Sequence, residues 1–127
     1  MGQHVGAMAL TQLGDDEQMF RDTVRQFAVE QIRPLVRGMD EAQQMDAGLI
    51  GKLFALGLMG IEIPEEFGGA GGTFFEAILA VEELSAVDPS VGVLVDVQNT
   101  LCINALKRWA TVEQKRRYLP RLANDTI

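Results

Sequence analysis

The residues whose types and spacing best suit chemistry lie in one apolar stretch, residues 91–109. Its polar side chains recur at steps of three and four residues, which places them on one face of a helix: Asp96, Asn99, Thr100, Asn104 and Lys107. Gly92 lies four residues before Asp96 on the same face. A small, polar stripe on a buried helix either faces a cavity, where it can orient a ligand, or bonds to neighbouring helices.

Other residue patterns that could support catalysis or ligand binding are weaker. Glu82 and Glu83 are adjacent, so on a helix they diverge by about 100° and cannot share one acid–base site; we expect a solvated or ion-paired structural role. The glycine-rich residues 67–72 lack both the Lys-Ser/Thr of a phosphate-binding loop and the surroundings of a dinucleotide fingerprint, and indicate a flexible turn.

A single histidine, His4, argues against a histidine-based triad or metal site. The single cysteine, Cys102, excludes an internal disulfide and is expected to be a small core residue.

Composition limits the partners. A chain of 127 residues is one domain or part of one, and with 47% hydrophobic but only 6% aromatic residues its core must be aliphatic. The net charge of −7 argues against nucleic acid, and the short basic run at residues 115–117 is expected to be a solvated helix face. No apolar run reaches the length of a membrane span. Residues 1–12 are expected to be a disordered tail or a cloning remnant.

The apolar stretch has two possible secondary structures. Asp88 can cap a helix and Pro89 suits its first turn, which favours a helix that is apolar almost all round and therefore buried. Valines at alternate positions from 91 to 97 also fit a strand. The helix is preferred because the apolar character continues far past normal strand length.

Capping signals mark the other elements. Helices are predicted from Asp15 (with Gln18) until Pro34 ends or kinks the helix, from Asp46 to Gly57, from Thr73 (with Glu76) to Leu84, and from Thr111 (with Gln114) to Pro120. Residues 40–46 indicate a polar connection, and residues 58–63 look extended. The sequence therefore predicts an all-α fold, a bundle of about five helices.

Five segments, in this order and spacing, resemble the N-terminal helical domain of acyl-CoA dehydrogenases. They are residues 27–34 (FAVEQIRP), 56–61 (LGLMGI), 64–69 (PEEFGG), 82–86 (EELSA) and 113–120 (EQKRRYLP). Residues 87–93 (VDPSVGV) with 98–101 (QNTL) are most similar to the short/branched-chain members. The resemblance covers residues 13–127, which we expect to be this domain alone, without the family's middle β-domain and C-terminal helical domain.

The resemblance implies a flavin enzyme. Such enzymes remove a proton from the α-carbon of an acyl-CoA thioester and transfer a hydride from the β-carbon to FAD. The catalytic base and most of the FAD site belong to the family's other two domains, so no residue of this chain is predicted to be catalytic. Matching positions on the apolar helix are implied to line the acyl pocket, with Gly92 leaving space: Gly92, Val93, Leu94, Asp96 and Thr100.

The resemblance also implies partners. They are the acyl-CoA substrate, an electron-transferring flavoprotein, and copies of the same chain in a homotetramer. Leu58, Ala70 and Gly72 match the region where the flavoprotein docks. The compartment implied is the mitochondrial matrix in a eukaryote or the cytoplasm in a bacterium.

One alternative is a non-catalytic helical interaction module. The enzyme hypothesis predicts a cavity beside Gly92, Asp96 and Thr100, whereas the module hypothesis predicts that this face is packed solid.

Overall fold

A computed structural model describes Ala9 and residues 11–124, which form five helical rods and no strand within that range. The predicted tail at residues 1–12 and the last three residues lie largely outside the described part. The rods are α1 (residues 15–42), α2 (Ala47–Ala55), α3 (Phe74–Val87), α4 (residues 89–109) and α5 (Val112–Ala123). Short 3-10 turns occur at Leu58–Gly60 and Glu65–Phe67. The predicted all-α bundle of five helices is confirmed.

Four of the five predicted N-caps are confirmed, because each cap acts within one turn. Side-chain oxygens accept backbone N–H bonds at the starts of α2 to α5: Asp46 from Leu49, Thr73 from Glu76, Asp88 from Ser90 and Thr111 from Gln114. α1 begins at Asp15, as predicted, but Asp15 is not its cap. Gly14 is the N-cap there, and its N–H donates to Glu17 Oε1 at 3.1 Å.

Of the two outcomes predicted at Pro34, an end or a kink of the helix, the end does not occur. The rod continues through four segments: α-helix Asp15–Phe27, π-helix Ala28–Ile32, 3-10 helix Arg33–Leu35 and α-helix Val36–Ala42. Arg33 stays helical (φ −50°, ψ −43°) and its N–H reaches back five residues to Ala28 O. This wider turn accommodates the proline ring and its missing N–H. Most of the predicted connection at residues 40–46 is therefore helical or turn, and the rod ends at Gln43 (φ 52°). Pro120 likewise lies inside α5 rather than at its end.

Two apolar clusters hold the rods together. The main cluster draws on α1, α2, the 58–61 turn, α3 and the first part of α4, with Ile32, Leu53, Leu84 and Val95 at its centre. A smaller cluster of Ile63, Ile103 and Leu119 joins α5 to the second half of α4. Each fully buried Leu or Ile contributes roughly 1.5–3 kcal/mol of transfer free energy.

The segment 58–63 is neither extended nor exposed. All six of its residues are buried, and its first half is a 3-10 turn. The glycine-rich residues that follow form a turn and fold back onto it: Ala70 N–H bonds to Gly60 O (3.1 Å), Gly71 N–H to Ile63 O (2.9 Å) and Gly72 N–H to Ile61 O (2.7 Å). These backbone bonds satisfy polar groups that burial would otherwise leave unpaired.

An ion pair links α1 to α3. Arg25 Nε and Nη2 donate to the two carboxylate oxygens of Glu83 at 2.8 and 2.9 Å, which confirms the structural role predicted for Glu83. The Glu83 carboxylate, through these hydrogen bonds and its charge, raises the pKa of the Arg25 guanidinium above its ordinary value. A raised pKa on a cation stabilises the fold at every pH below the ordinary arginine value, so the pair is intact at physiological pH.

Replacing Arg25 with methionine should lower the urea midpoint of unfolding at neutral pH. The substitution leaves the Glu83 side chain, which is only 10% exposed, with a buried charge and no guanidinium. The matched control is Arg21→Met, because its partner Asp22 is 62% exposed and solvent replaces the lost contact. Adding Glu83→Gln to Arg25→Met should restore part of the midpoint. Equal midpoints for the two arginine variants would contradict this account.

Candidate functional site

The candidate site is built on α4, which the Asp88–Pro89 corner sets against α3. Gly92 is buried at this crossing, and a Cβ at its position would collide with the Ser85 side chain of α3. The space expected beside Gly92 is thus filled by Ser85. Gly92 allows the two helix backbones to approach closely, which is a packing role.

Val93 and Leu94 lie on different sides of α4. Leu94 is half-buried and packs against the main cluster, whereas Val93 is 59% exposed. Val97 (39% exposed) and Leu101 (62% exposed) continue from Val93 at steps of four, so they form an exposed apolar stripe along the helix. The prediction that α4 is buried all round is therefore wrong.

Cys102 is also exposed, contrary to the expectation that it belongs to the core. Its neighbour Ile103 takes the core position instead.

Asp96 and Thr100 form a pair on the flank of this stripe. Both are half-buried, and Thr100 Oγ1 lies 2.9 Å from Asp96 O and 2.9 Å from Asp96 Oδ1. A hydroxyl carries one proton, so it donates to one of these oxygens at a time. The pair therefore presents a carboxylate and a hydroxyl side by side at the edge of an apolar surface.

Asn99 has a different role, which residue types alone did not reveal. It is fully buried and links α4 to the 58–63 segment: its Nδ2 donates to Leu58 O (2.8 Å) and its Oδ1 accepts from Ile61 N–H (3.0 Å). Asn104 Nδ2 also donates to that segment, at Glu62 Oε2 (3.3 Å). The polar stripe is thus divided: its asparagines bond to a neighbouring segment, and Asp96 and Thr100 bond to each other.

The helix around this site is not a regular α-helix. Residues Val97–Ile103 are π-helical, so backbone N–H groups bond five residues back instead of four. At the entrance to this segment two carbonyls accept extra side-chain bonds: Val95 O from Asn99 Nδ2 (2.9 Å) and Asp96 O from Thr100 Oγ1 (2.9 Å). These bonds compensate for the change in backbone pairing. π-helical turns occur frequently at functional sites.

The face of α4 is neither a closed cavity nor packed solid. Asp96 and Thr100 are half-buried next to the exposed Val93 and Val97. Within residues 11–124 no three His, Cys, Asp or Glu side chains cluster closely enough to hold a metal ion. No helix in that same range is long and apolar enough to cross a membrane.

The residues predicted for flavoprotein docking differ in how exposed they are. Leu58 is 1% exposed and belongs to the main cluster, so it cannot contact a partner directly. Ala70 is exposed and Gly72 is half-buried. The Leu58 assignment is therefore corrected to a core residue that supports the loop.

The comparisons with known proteins agree on one family. Residues 14–126 match the family described as acyl-CoA dehydrogenase, N-terminal domain. The probable short/branched chain specific acyl-CoA dehydrogenase of Dictyostelium discoideum is 44% identical over 93% of this chain and 29% of that protein. The mitochondrial short/branched chain specific acyl-CoA dehydrogenase of Bos taurus is 46% identical over 87% of this chain and 26% of its own length.

Solved structures agree in fold. Butyryl-CoA dehydrogenase from Megasphaera elsdenii superposes with a TM-score of 0.82 at 32% identity, covering 91% of this chain and 31% of that one. Glutaryl-CoA dehydrogenase from Mycobacterium smegmatis in complex with FADH2 gives a TM-score of 0.80 at 34% identity, covering 87% of this chain and 28% of that one. The chain spans less than a third of the length of these relatives. By sequence and by fold, it belongs to the acyl-CoA dehydrogenase family and corresponds to the N-terminal domain.

Proposed function

We propose that this chain is the N-terminal part of a flavin-dependent dehydrogenase that oxidises short or 2-methyl-branched acyl-CoA to the 2,3-enoyl-CoA, and that α4 forms one wall of the acyl pocket. The observation that carries this proposal is the identity to two short/branched-chain enzymes, at 44% and 46% over most of the chain. Residues 13–127 would be the helical domain, with the middle β-domain and the C-terminal helical domain supplied by further sequence.

The geometry of α4 supports a role in substrate contact. Val93 and Val97 offer an exposed apolar surface suited to a short acyl chain, and Leu94 backs it from the core. Asp96 and Thr100 place hydrogen-bonding groups at its edge. Gly92 contributes indirectly, because its contact with Ser85 sets how closely α3 supports α4.

Two polar residues of α4 are already engaged and are not proposed to bind flavin. Asn99 is fully engaged with backbone groups, and Thr100 is engaged with Asp96, so neither offers a free set of donors. The family resemblance implies that FAD would be bound mainly by other parts of the protein, where it would accept the hydride from the substrate β-carbon. No residue of this chain is assigned as the base that removes the α-proton.

The partners proposed for the whole protein are the acyl-CoA substrate, an electron-transferring flavoprotein and three further copies in a homotetramer. A solved structure from work on the electron transferring flavoprotein of Acidaminococcus fermentans matches this chain with a TM-score of 0.84 at 39% identity. Mitochondrial relatives occur in Bos taurus and a bacterial one in Clostridium acetobutylicum. The proposed compartment is accordingly the mitochondrial matrix in a eukaryote and the cytoplasm in a bacterium.

The test is to express the complete reading frame that contains this chain and purify its product. We expect a yellow protein with a flavin absorption spectrum that bleaches when 2-methylbutyryl-CoA or butyryl-CoA is added anaerobically. A product without flavin and without bleaching by any acyl-CoA of four to sixteen carbons would overturn the proposal in favour of the interaction module.

Replacing Val93 with tryptophan in that complete protein should shift its chain-length preference. The indole would fill space next to the acyl chain, so kcat/KM should fall on the order of tenfold more for a six-carbon than for a four-carbon substrate. Val29→Trp is the control, because Val29 is also a partly exposed valine but lies on α1. If both variants keep the original preference, Val93 does not line the acyl pocket.

A further inference from the structure

The charge of this acidic chain is unevenly distributed. Six of its eleven basic residues, but only one of its eighteen acidic residues, fall within residues 107–121. The basic residues are Lys107, Arg108, Lys115, Arg116, Arg117 and Arg121. The end of α4 and most of α5 therefore form a positive region on an otherwise negative domain.

A groove of about 300 Å³ lies in this region, between the 64–67 turn, the end of α4 and α5. Its apolar lining comes from Pro64, Phe67, Val112 and Leu119, of which Leu119 is fully buried. Three cations, Lys107, Lys115 and Arg116, also line it, together with the carboxylate of Glu66. An apolar floor edged by positive charge suits a ligand that is both apolar and acidic.

The three cations of the groove have no carboxylate partner among the residues that the structure describes. Elsewhere in that range, Arg21, Arg25 and Arg37 each form an ion pair at 2.8–2.9 Å. Their charges are thus already balanced, whereas those of Lys107, Lys115 and Arg116 face solvent or a partner. Apolar surface continues beside the groove, since Val112 is 59% exposed and Trp109 is 79% exposed.

We propose that this groove docks an acidic segment of a partner protein, with one large apolar side chain on the floor and carboxylates facing the three cations. The proposal does not depend on the acyl-CoA chemistry. The charge complementarity and the apolar floor together favour this occupant. Free phosphate compounds are less suited for two reasons. The apolar floor of Phe67 and Leu119 offers a bare phosphate no contact, and the Thr111 hydroxyl already caps the Gln114 N–H at the start of α5.

The test selects binders from a random twelve-residue peptide library displayed on phage, using the purified product of the complete reading frame in 50 mM salt. We expect enriched peptides to carry several acidic residues around one large apolar residue. Fluorescence anisotropy of one enriched peptide then compares the wild-type chain with Lys107→Glu/Lys115→Glu. The affinity should fall at least tenfold, because two attractive charges become repulsive.

Three controls decide the result. Lys52→Glu changes a cation outside the groove, on α2, and should alter the affinity less than twofold. Replacing the apolar residue of the peptide with serine should weaken binding at least fivefold. The circular dichroism melting curves of both protein variants should match the wild type, since none of the three lysines is buried.

The proposal is overturned if no acidic peptide is enriched, or if Lys52→Glu weakens binding as much as the double variant. It is also overturned if inorganic tripolyphosphate displaces the peptide from the groove while the serine peptide binds as well as the original. That last result would identify a phosphate site instead.

Discussion

Replacing Asn99 with leucine should reduce the free energy of unfolding of this chain by about 3 kcal/mol or more. The substitution removes three buried hydrogen bonds at once, those to Leu58 O, Ile61 N–H and Val95 O. Leucine is close in size, so the main effect is not a cavity but the loss of partners for backbone groups that water cannot reach. A loss of this size is a large part of the 5–15 kcal/mol that typically separates folded from unfolded domains.

The measurement is urea unfolding followed by circular dichroism. Gln98→Leu is the matched control, because Gln98 is half-buried on the same helix and makes one long bond to Leu122 O (3.4 Å). We expect the control to lose about 1 kcal/mol or less. If the two leucine variants have the same stability, Asn99 does not anchor the 58–63 segment to α4.

Replacing Gly69 with alanine should reduce stability by about 2–4 kcal/mol. A Cβ at this position would collide with the backbone carbonyl of Ile63, and neither arm of the folded loop can move without breaking bonds. Those bonds include Gly69 N–H to Pro64 O (3.2 Å) and Gly71 N–H to Ile63 O (2.9 Å). The loop must therefore open or shift as a unit.

Gly51→Ala is the matched control for Gly69→Ala, and it should change stability in the opposite direction. Gly51 lies inside α2, and a Cβ at its position would meet nothing within 4 Å, so alanine should raise stability by about 0.5–1 kcal/mol. Thermal unfolding measured side by side should move the two midpoints in opposite directions. Midpoints that move together would show that contact with Ile63 does not constrain the loop.

Asn99 and Gly69 both support the same part of the domain, residues 58–63. Asn99 ties the 58–63 segment to the π-helical part of α4, and Gly69 lets the glycine-rich turn pack onto that segment. The exposed stripe and the Asp96–Thr100 pair lie on the same helix. We therefore expect damage at Asn99 to alter the proposed acyl-pocket wall, although Asn99 faces away from it into the core.

Local interactions account for what the sequence by itself determined. The caps at Asp46, Thr73, Asp88 and Thr111 act between residues two or three positions apart, so they could be predicted without knowledge of the fold. The same holds for the choice of helix over strand in α4, which its Asp-Pro start favoured. The five motifs, in order, also indicated the family, because that resemblance depends only on residue identities and their order in the sequence.

Tertiary structure alone decided which surfaces are buried and where the backbone departs from regular helix. Asn99 bonds to residues 38 and 41 positions away, and no local pattern specifies such partners. The apolar character of α4 predicted burial all round, but neighbouring rods cover only one side, so Val93, Leu101 and Cys102 are exposed. Pro34 predicted an end or a kink, and the π-helical turn before it lets the helix continue. Propensity and capping act over a few residues, whereas burial depends on which distant segments pack together.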